Sequence, residues 1–556
     1  MKNNESKPLI VQSDGTLILD THEPLFEEAR SAISLFADLE KSPEHFHQYR
    51  INDLSLWNAC AMDITLAHIE TTLKQYSRYP IPPSLMAKVE QRYDRYGHLK
   101  LESHPTDETQ LIMKVLNKPH LMRELQSQPK LRKLIITEET DTFRLNALDR
   151  GLLKHELIKL GWPVTDLAPL TQGDPLAIDL LPSTQLRPYQ QSAVTAFLGD
   201  KQLGRGFGTV ILPCGAGKTL VGIGTMQALQ CETLILAANI AAARQWIREI
   251  VTRTTLTEDQ VSEYSGQSKV IAPVTVATYQ ILVWRKAKTE PFLHFNLFKE
   301  RKWGLIIYDE AHLLPAPVFR ITSEIQSVRR LGLTATLVRE DNAEAEVFTL
   351  IGPKRFDAPW KELEHQGWIA TAQCVEVKCD LNEKEHLEYA IAPNRSKIRI
   401  ASEAVSKITL VKAILALHQG KPTIIIGQYL SQLQAIAKEL NLPIITGKTP
   451  QDLRDDLYNQ FRNKTIQTLI LSKVANFSID LPDATIAIQL SGSFGSRQEE
   501  AQRLGRILRP KEEMSYFYSL VSRFTLEEEF AINRMRFLTE QGYTYQILSQ
   551  EDFFDD

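Results

Sequence analysis

Leu212-Pro213-Cys214-Gly215-Ala216-Gly217-Lys218-Thr219 joins an apolar lead-in to a glycine-rich turn and a Lys-Thr pair that opens a helix. Upstream, Phe207-Gly208-Thr209-Val210-Ile211 has the continuous apolar character of a buried strand, and Leu220-Val221-Gly222-Ile223 carries the helix onward. In a strand, glycine turn and helix in that order, consecutive backbone N–H groups and the positive end of a helix dipole converge on an anion. Gly215, Ala216 and Gly217 form the expected cradle. Lys218 supplies a point charge for the outer phosphates of a nucleotide, and Thr219 a hydroxyl for Mg²⁺. Leu212 stands where the first glycine of GxxxxGK[ST] would fall, so the pattern is a variant, and a plain glycine-rich turn is the alternative.

The run Gly304-Leu305-Ile306-Ile307-Tyr308-Asp309-Glu310-Ala311-His312 is apolar and ends abruptly in two acids. Acids at the carboxyl end of a buried parallel strand lie where open α/β sheets bind ligands. Asp309 then reaches the Mg²⁺ shell, Glu310 polarises a water and His312 senses the γ-phosphate. A helix N-terminus whose acids complement the dipole is the alternative. In Gln502-Arg503-Leu504-Gly505-Arg506-Ile507-Leu508-Arg509, helical spacing puts Gln502, Arg506 and Arg509 on one side. Planar guanidinium groups suit charge building on a transferring phosphoryl group, so both arginines read as arginine fingers; a solvated basic helix face is the alternative.

These three elements spread over about three hundred residues, too far for one compact sheet, so two α/β sheets are expected. The arrangement resembles superfamily 2 helicases and translocases, in which ATP sits in a cleft between two RecA-like domains. Leu186-Arg187-Pro188-Tyr189-Gln190, the phosphate loop, Leu331-Gly332-Leu333-Thr334-Ala335-Thr336-Leu337-Val338-Arg339-Glu340-Asp341 and Glu500 to Arg506 narrow the resemblance to the xeroderma pigmentosum group B (XPB) helicase family. Leu350 to Lys354 and Ser472-Lys473-Val474 are similar too. The resemblance covers most of residues 180 to 545 and is weaker over the N-terminal third.

The resemblance implies adenine recognition by Arg187 and Gln190, coupling of the ATP cleft to a nucleic-acid strand by Thr334 and Thr336, and duplex opening by Arg339, Glu340 and Asp341. It places Ser472 and Lys473 with the DNA-binding set, and implies a DNA substrate, 3′-to-5′ polarity, and roles in repair or transcription-linked opening. A nuclease or repair protein as partner is admitted by analogy. Without the family, Thr334-Ala335-Thr336 reads equally as a strand end and Arg339 to Asp341 as a solvated charge run. At Asn476 relatives usually carry an acid; an amide keeps hydrogen-bonding capacity but loses charge, so altered coupling is expected there.

Composition sets the frame: 556 residues with 43% apolar and 24% charged content fit several globular domains. A formal net charge of −4 argues against coating nucleic acid by bulk charge and leaves a local basic groove open. Five cysteines without paired CxxC spacing support neither a disulfide framework nor a metal cluster, and no stretch is long enough to span a membrane, so a cytoplasmic setting is expected.

Residues 1–105 read as mainly helical. Ile64 to Tyr76 and Pro83 to Tyr96 form a helix-turn-helix pair, His98-Leu99-Lys100-Leu101 opens a β wing, and Lys88, Arg92 and Arg95 offer a phosphate-touching face. A helical adaptor is the equal alternative. Residues 106–165 read as a small α+β domain, resembling a damage-recognition domain by position in the family, and the turn-rich stretch 166–183 as a hinging linker. RecA-like domain 1 is expected over 184–359, where polar strand ends Asn239 and Thr278 contact a strand's phosphates or cap helices. RecA-like domain 2 is expected over 360–548 and an acidic tail over 549–556. Lys384, Arg395, Lys397, Arg399 and Lys407 fall near 381–407, where the family has a thumb-like element that grips DNA; a solvated helical hairpin is the alternative.

The fold expected is therefore α/β, with two doubly wound parallel-sheet motor domains behind a mainly helical region and a small α+β domain. The activity expected is movement along DNA driven by MgATP. An ATP-gated nucleic-acid-binding scaffold and an RNA helicase, distinguishable through the 2′-OH, are the competing readings.

Overall fold

A computed structural model describes the chain apart from residues 1–6, 42–44, 140, 214, 288–289, 336–343, 359–362, 365, 369, 473–483, 492–512, 541–542, 544 and 554–556. Two compact units emerge: Met1–Asp38, Gln48–Leu212 and Gly217–Ala358 make the first; Leu39–His47, Pro213–Ala216 and Pro359–Asp556 make the second.

The first unit's main sheet has seven described strands, ordered Val261–Tyr264, Val274–Thr278, Thr233–Ala237, Leu305–Asp309, Arg329–Thr334, Phe207–Ile211 and Lys354–Asp357. Every neighbouring pair is parallel. Phe207–Ile211, Thr233–Ala237, Val274–Thr278 and Arg329–Thr334 are buried along their whole length, as strands covered on both faces must be. Register aligns their carboxyl ends: Ile211 faces Thr334, Asp309 faces Leu333, and Ala237 faces Thr278. One edge of the sheet therefore gathers the exit to the phosphate loop, the Asp309-Glu310 pair and Thr334. This parallel sheet is the doubly wound α/β architecture expected.

Ahead of it lie two smaller sheets. Helices do predominate in the N-terminal region, but Leu9–Val11 and Thr16–Asp20 pair antiparallel within a four-stranded sheet that helical periodicity did not announce. The expected wing is corrected. Leu99–Ser103 is an interior strand of a five-stranded sheet, antiparallel to Gln110–Val115 and parallel to Val164–Asp166, so the small domain begins before residue 106. The basic residues expected to share a face of Pro83–Asp94 each have a neighbour within the protein. Lys88 Nζ donates to the Ser13 carbonyl, Arg92 pairs with Asp53, and the Arg95 guanidinium lies over the Trp162 ring at 5.3 Å.

The 166–183 stretch is a strap and not a hinge. Thr171 N donates to the Ser327 carbonyl, Asp174 N to Lys302, Leu176 N to Gln230 and Leu181 N to Arg253. At Gly173, with φ +77°, an added Cβ would stand 2.3 Å from the Gly304 backbone, so no side chain fits where the strap crosses the sheet.

In the second unit, another seven described strands run Ile444–Ile445, Thr468–Ser472, Thr423–Gly427, Ile486–Gln489, Ser515–Ser522, Ala372–Cys379 and Tyr545–Ser549, with all adjacent pairs parallel. Its core is aliphatic, drawn from Val375, Leu410, Ile425, Ile470 and Ile488. Helices Glu383–Ile391 and Asn394–Ser402 follow the strand Ala372–Cys379. Arg399 pairs with Glu403 at 2.9 Å, and Lys397 Nζ lies 5.3 Å from the centre of the Tyr389 ring.

Lys407 departs from the expected exposed basic set. It is fully buried and donates to both Glu527 oxygens, at 2.8 and 3.1 Å, and to the Leu490 carbonyl at 2.8 Å. Glu527 also accepts from Ser402 Oγ and Ser522 N. Lys407→Met would strand a buried carboxylate, so the second unit should lose about 3–5 kcal/mol, read as a lower midpoint in denaturant. Lys407→Met with Glu527→Gln should recover part of that loss.

Among the described residues, no helix is long and apolar enough to cross a membrane.

Candidate nucleotide site

The buried strand Phe207–Ile211 delivers the phosphate loop to the amino end of helix Lys218–Leu229. Gly215 and Gly217 have φ of +84° and +79°, a region that L side chains rarely adopt. A Cβ at Gly217 would also come within 2.5 Å of Gln190 Nε2. Gln190 is buried, and its Oε1 accepts from Arg187 N at 2.9 Å at the start of helix Pro188–Leu198, while Arg187 Nη1 donates to Tyr189 Oη. The Arg187–Gln190 pair expected to read adenine thus lies against the loop expected to hold phosphates.

Lys218 Nζ is 3.1 Å from Glu310 Oε1. Glu310 has φ +49°, a left-handed turn that breaks the strand and carries its carboxylate back toward the loop. Its Oε2 is buried with no hydrogen bond among the described residues and lies 3.4 Å from His312 Nδ1. Asp309 Oδ2 accepts from Trp246 Nε1 at 3.0 Å, and Tyr279 Oη donates to the Asp309 carbonyl. Burial, then the neighbouring Glu310 charge, raise the Asp309 carboxyl above the usual carboxylate range. Burial acts in the same sense on Glu310, but the Lys218 ammonium, with His312 behind it, outweighs it and holds that carboxyl low. Environment has split adjacent acids into one poised for a cation and one kept ionised.

His312 Nδ1 and Thr334 Oγ1 are 2.7 Å apart and both are buried, so the residues expected to couple the cleft to the strand are in direct contact. Asn239 and Thr278 sit at the same sheet edge and cap helices: Asn239 Oδ1 accepts from Ala242 N, Thr278 Oγ1 from Ile281 N. Thr278 is also buried, which corrects its expected place on a strand's phosphates, because its oxygen is already engaged inside the protein. In the second unit, Ser472 ends a buried strand, and its Oγ lacks a hydrogen bond among the described residues. Thr336, Arg339, Glu340, Asp341, Lys473, Asn476, Gln502, Arg506 and Arg509 lie outside the described residues.

Trp246 and Tyr279 were missed by sequence reasoning. Trp246 belongs to the apolar stripe Ala243, Trp246, Ile250 of its helix, and its ring packs where a Cβ on Gly222 would come within 2.5 Å. Only the polar N–H of an otherwise core-like residue hinted at a role.

The geometry fits a magnesium-bound nucleotide on three counts: a cradle that a Cβ would fill, a buried carboxylate oxygen without a hydrogen bond, and an acid pair beside one cation. Comparison with known proteins relates the chain to helicases. The model of the ERCC3/RAD25/XPB C-terminal helicase matches residues 363–556, that of the type III restriction enzyme res subunit residues 183–339, and that of the helicase conserved C-terminal domain residues 9–140. The DNA 3′-5′ helicase XPB of Kineococcus radiotolerans is 49% identical over 549 residues, covering 98% of this chain and 97% of the relative. The DNA 3′-5′ helicase XPB of Mycobacterium tuberculosis is 49% identical over 548 residues, covering 98% of each chain. The general transcription and DNA repair factor IIH helicase/translocase subunit XPB of Enterocytozoon bieneusi is 32% identical over 574 residues, covering 98% of this chain and 93% of the relative.

Proposed function

The chain belongs to the XPB family of DNA 3′-5′ helicases, and from that premise we propose that it is a DNA helicase that spends ATP at the Lys218–Glu310 site to move along or open DNA with 3′-to-5′ polarity. Work in DNA repair or transcription-linked opening follows from the same kinship. The observation that carries the catalytic part is the ion pair of Lys218 with Glu310, with Asp309 beside it at the carboxyl edge of the sheet.

In the resting site Lys218 and Glu310 neutralise each other. Entry of the triphosphate draws Lys218 to the outer phosphates and frees Glu310 Oε1, so the base is released only when its substrate is present. Thr219 and Asp309 would hold Mg²⁺, which when bound screens charge between the outer phosphates. Trp246 fixes the Asp309 carboxylate from one side and Tyr279 fixes its backbone, so the acid is oriented before the substrate arrives. Glu310 orients the attacking water and takes its proton at a carboxylate oxygen. His312 passes the state of the site to Thr334. Arg506 and Arg509 are proposed to add guanidinium charge to the departing phosphoryl group, and Gln502 to offer a further donor.

Strand displacement on 3′-tailed and 5′-tailed DNA duplexes tests this. Unwinding of the 3′-tailed substrate alone is expected, with ATP turnover stimulated more by single-stranded DNA than by RNA. DNA-stimulated hydrolysis without displacement would instead favour a gated scaffold.

A further inference from the structure

Between the small five-stranded domain and the motor sheet of the first unit lies a cavity of about 40 Å³, lined by Tyr96, Lys154, Thr165, Asp166, Phe207 and Arg355 among others. Its electrostatics are unbalanced. Lys154 and Arg355 are buried in its wall and Arg150 and Arg330 are buried close by; Asp166 is the buried carboxylate that faces Arg150, Lys154 and Arg330. Arg150 takes both Asp166 oxygens, at 2.8 and 2.9 Å, and Lys154 Nζ contacts Oδ2 at 3.1 Å. The ring of Phe207 meets Lys154, Arg330 and Arg355, each 5.4 Å from its centre.

Most guanidinium donors in this cluster have acceptors. Arg355 donates to the carbonyls of Phe207, Ala61 and Gly204, and Arg330 to those of Leu350, Gln326 and Val328. Three groups do not. Arg330 Nη2 and Thr165 Oγ1 are buried without a hydrogen bond among the described residues, and Lys154 keeps N–H directions that Asp166 does not fill. Burial accordingly pulls the Lys154 ammonium down to about 7, more than Asp166 can offset. Buried positive charge in excess of its partners is costly unless a counter-charge joins it.

We propose that this cavity binds a small tetrahedral oxyanion of the inorganic phosphate class, held by the Lys154 ammonium and the Thr165 hydroxyl. The volume exceeds about three times what one water requires, enough for a small anion. Arg355's planar fork is already spent on carbonyls, so the site offers a point charge and hydroxyls, which suit a tetrahedral oxyanion better than a bidentate carboxylate. Phe207 opens the strand whose far end leads into the phosphate loop, about 13 Å away at 3.3 Å per residue, so this seat is separate from the nucleotide site. Its walls come from both the small domain and the motor, so a bound anion pins one to the other. The seat does not depend on the helicase reading.

The test uses the full chain carrying Lys218→Ala and Glu310→Gln, which takes the cation out of the phosphate loop together with its partner acid, so that the variants at Lys154 and Thr165 report on the cavity. Thermal midpoints are followed in inorganic phosphate and in sulfate against chloride at matched ionic strength. A saturable rise with both oxyanions is expected, whereas general salting effects do not saturate. Adding Lys154→Met should weaken half-saturation about tenfold or more, and Thr165→Val should weaken it less. No saturable rise, or equal half-saturation in the Lys154→Met protein, overturns the proposal. Should Lys154→Met fail to fold, unchanged half-saturation in Thr165→Val overturns it.

Discussion

Glu310→Gln is expected to bind ATP and hold it while turnover falls by about 10²–10⁴-fold, the usual contribution of a positioned general base. The substitution keeps the side chain's length and its place after the strand Leu305–Asp309, so the cradle of Gly215, Ala216, Gly217 and Lys218 remains. What it removes is proton affinity at a carboxylate that Lys218 and His312 hold ionised against burial. It also releases Lys218 from its partner, so nucleotide affinity should stay level or rise. Single-turnover hydrolysis beside equilibrium nucleotide binding separates the two effects. Turnover within a few-fold of the parent would take Glu310 out of the chemistry, and weak ATP binding would show instead that the carboxylate organises the loop.

The parts of this site that were readable from sequence are those in which chemistry sits at the end of a single periodic segment. The phosphate loop follows one buried strand and the Asp309-Glu310 pair ends another, so local pattern places both at the carboxyl edge of a parallel sheet. The coupling role of Thr334 came from family resemblance, and its contact with His312 was not legible, since nothing local tells two strand ends to touch. Trp246 and Tyr279 were illegible because their contacts with Asp309 join three separate elements. Leu99–Ser103 was misread as a wing because its parallel partner, Val164–Asp166, lies some sixty residues on, beyond the reach of any window. The strap from 166 to 183 has a linker's composition, yet its backbone is bonded to the motor, and hydrogen bonding by main chain leaves no trace in residue type. The charge cluster at Asp166 was invisible for a related reason: it combines residues from a helix, three strands and two domains.

Lys218→Ala is expected to abolish ATP turnover, and to do so with a signature that Glu310→Gln lacks. The ammonium lies 3.1 Å from Glu310 Oε1, and it is also the charge offered to the outer phosphates, so binding and hydrolysis should fail together. The variant leaves Glu310 buried next to Asp309 with its main compensating charge gone. The folded-state pKa of the acid pair must then rise, because two neighbouring buried carboxylates resist sharing charge. A carboxyl whose folded pKa lies above its unfolded value stabilises the fold at low pH and loses that contribution as pH rises through the folded pKa. The stability deficit of Lys218→Ala against the parent should therefore grow from acidic to mildly alkaline pH, where about 3–5 kcal/mol is expected for a broken buried pair. Combining Lys218→Ala with Glu310→Gln should return most of the stability at high pH and none of the turnover. If the single variant were as stable as the parent at every pH, the ion pair would not be the resting lock of this site. Normal hydrolysis in that variant would remove the phosphate loop from the mechanism altogether.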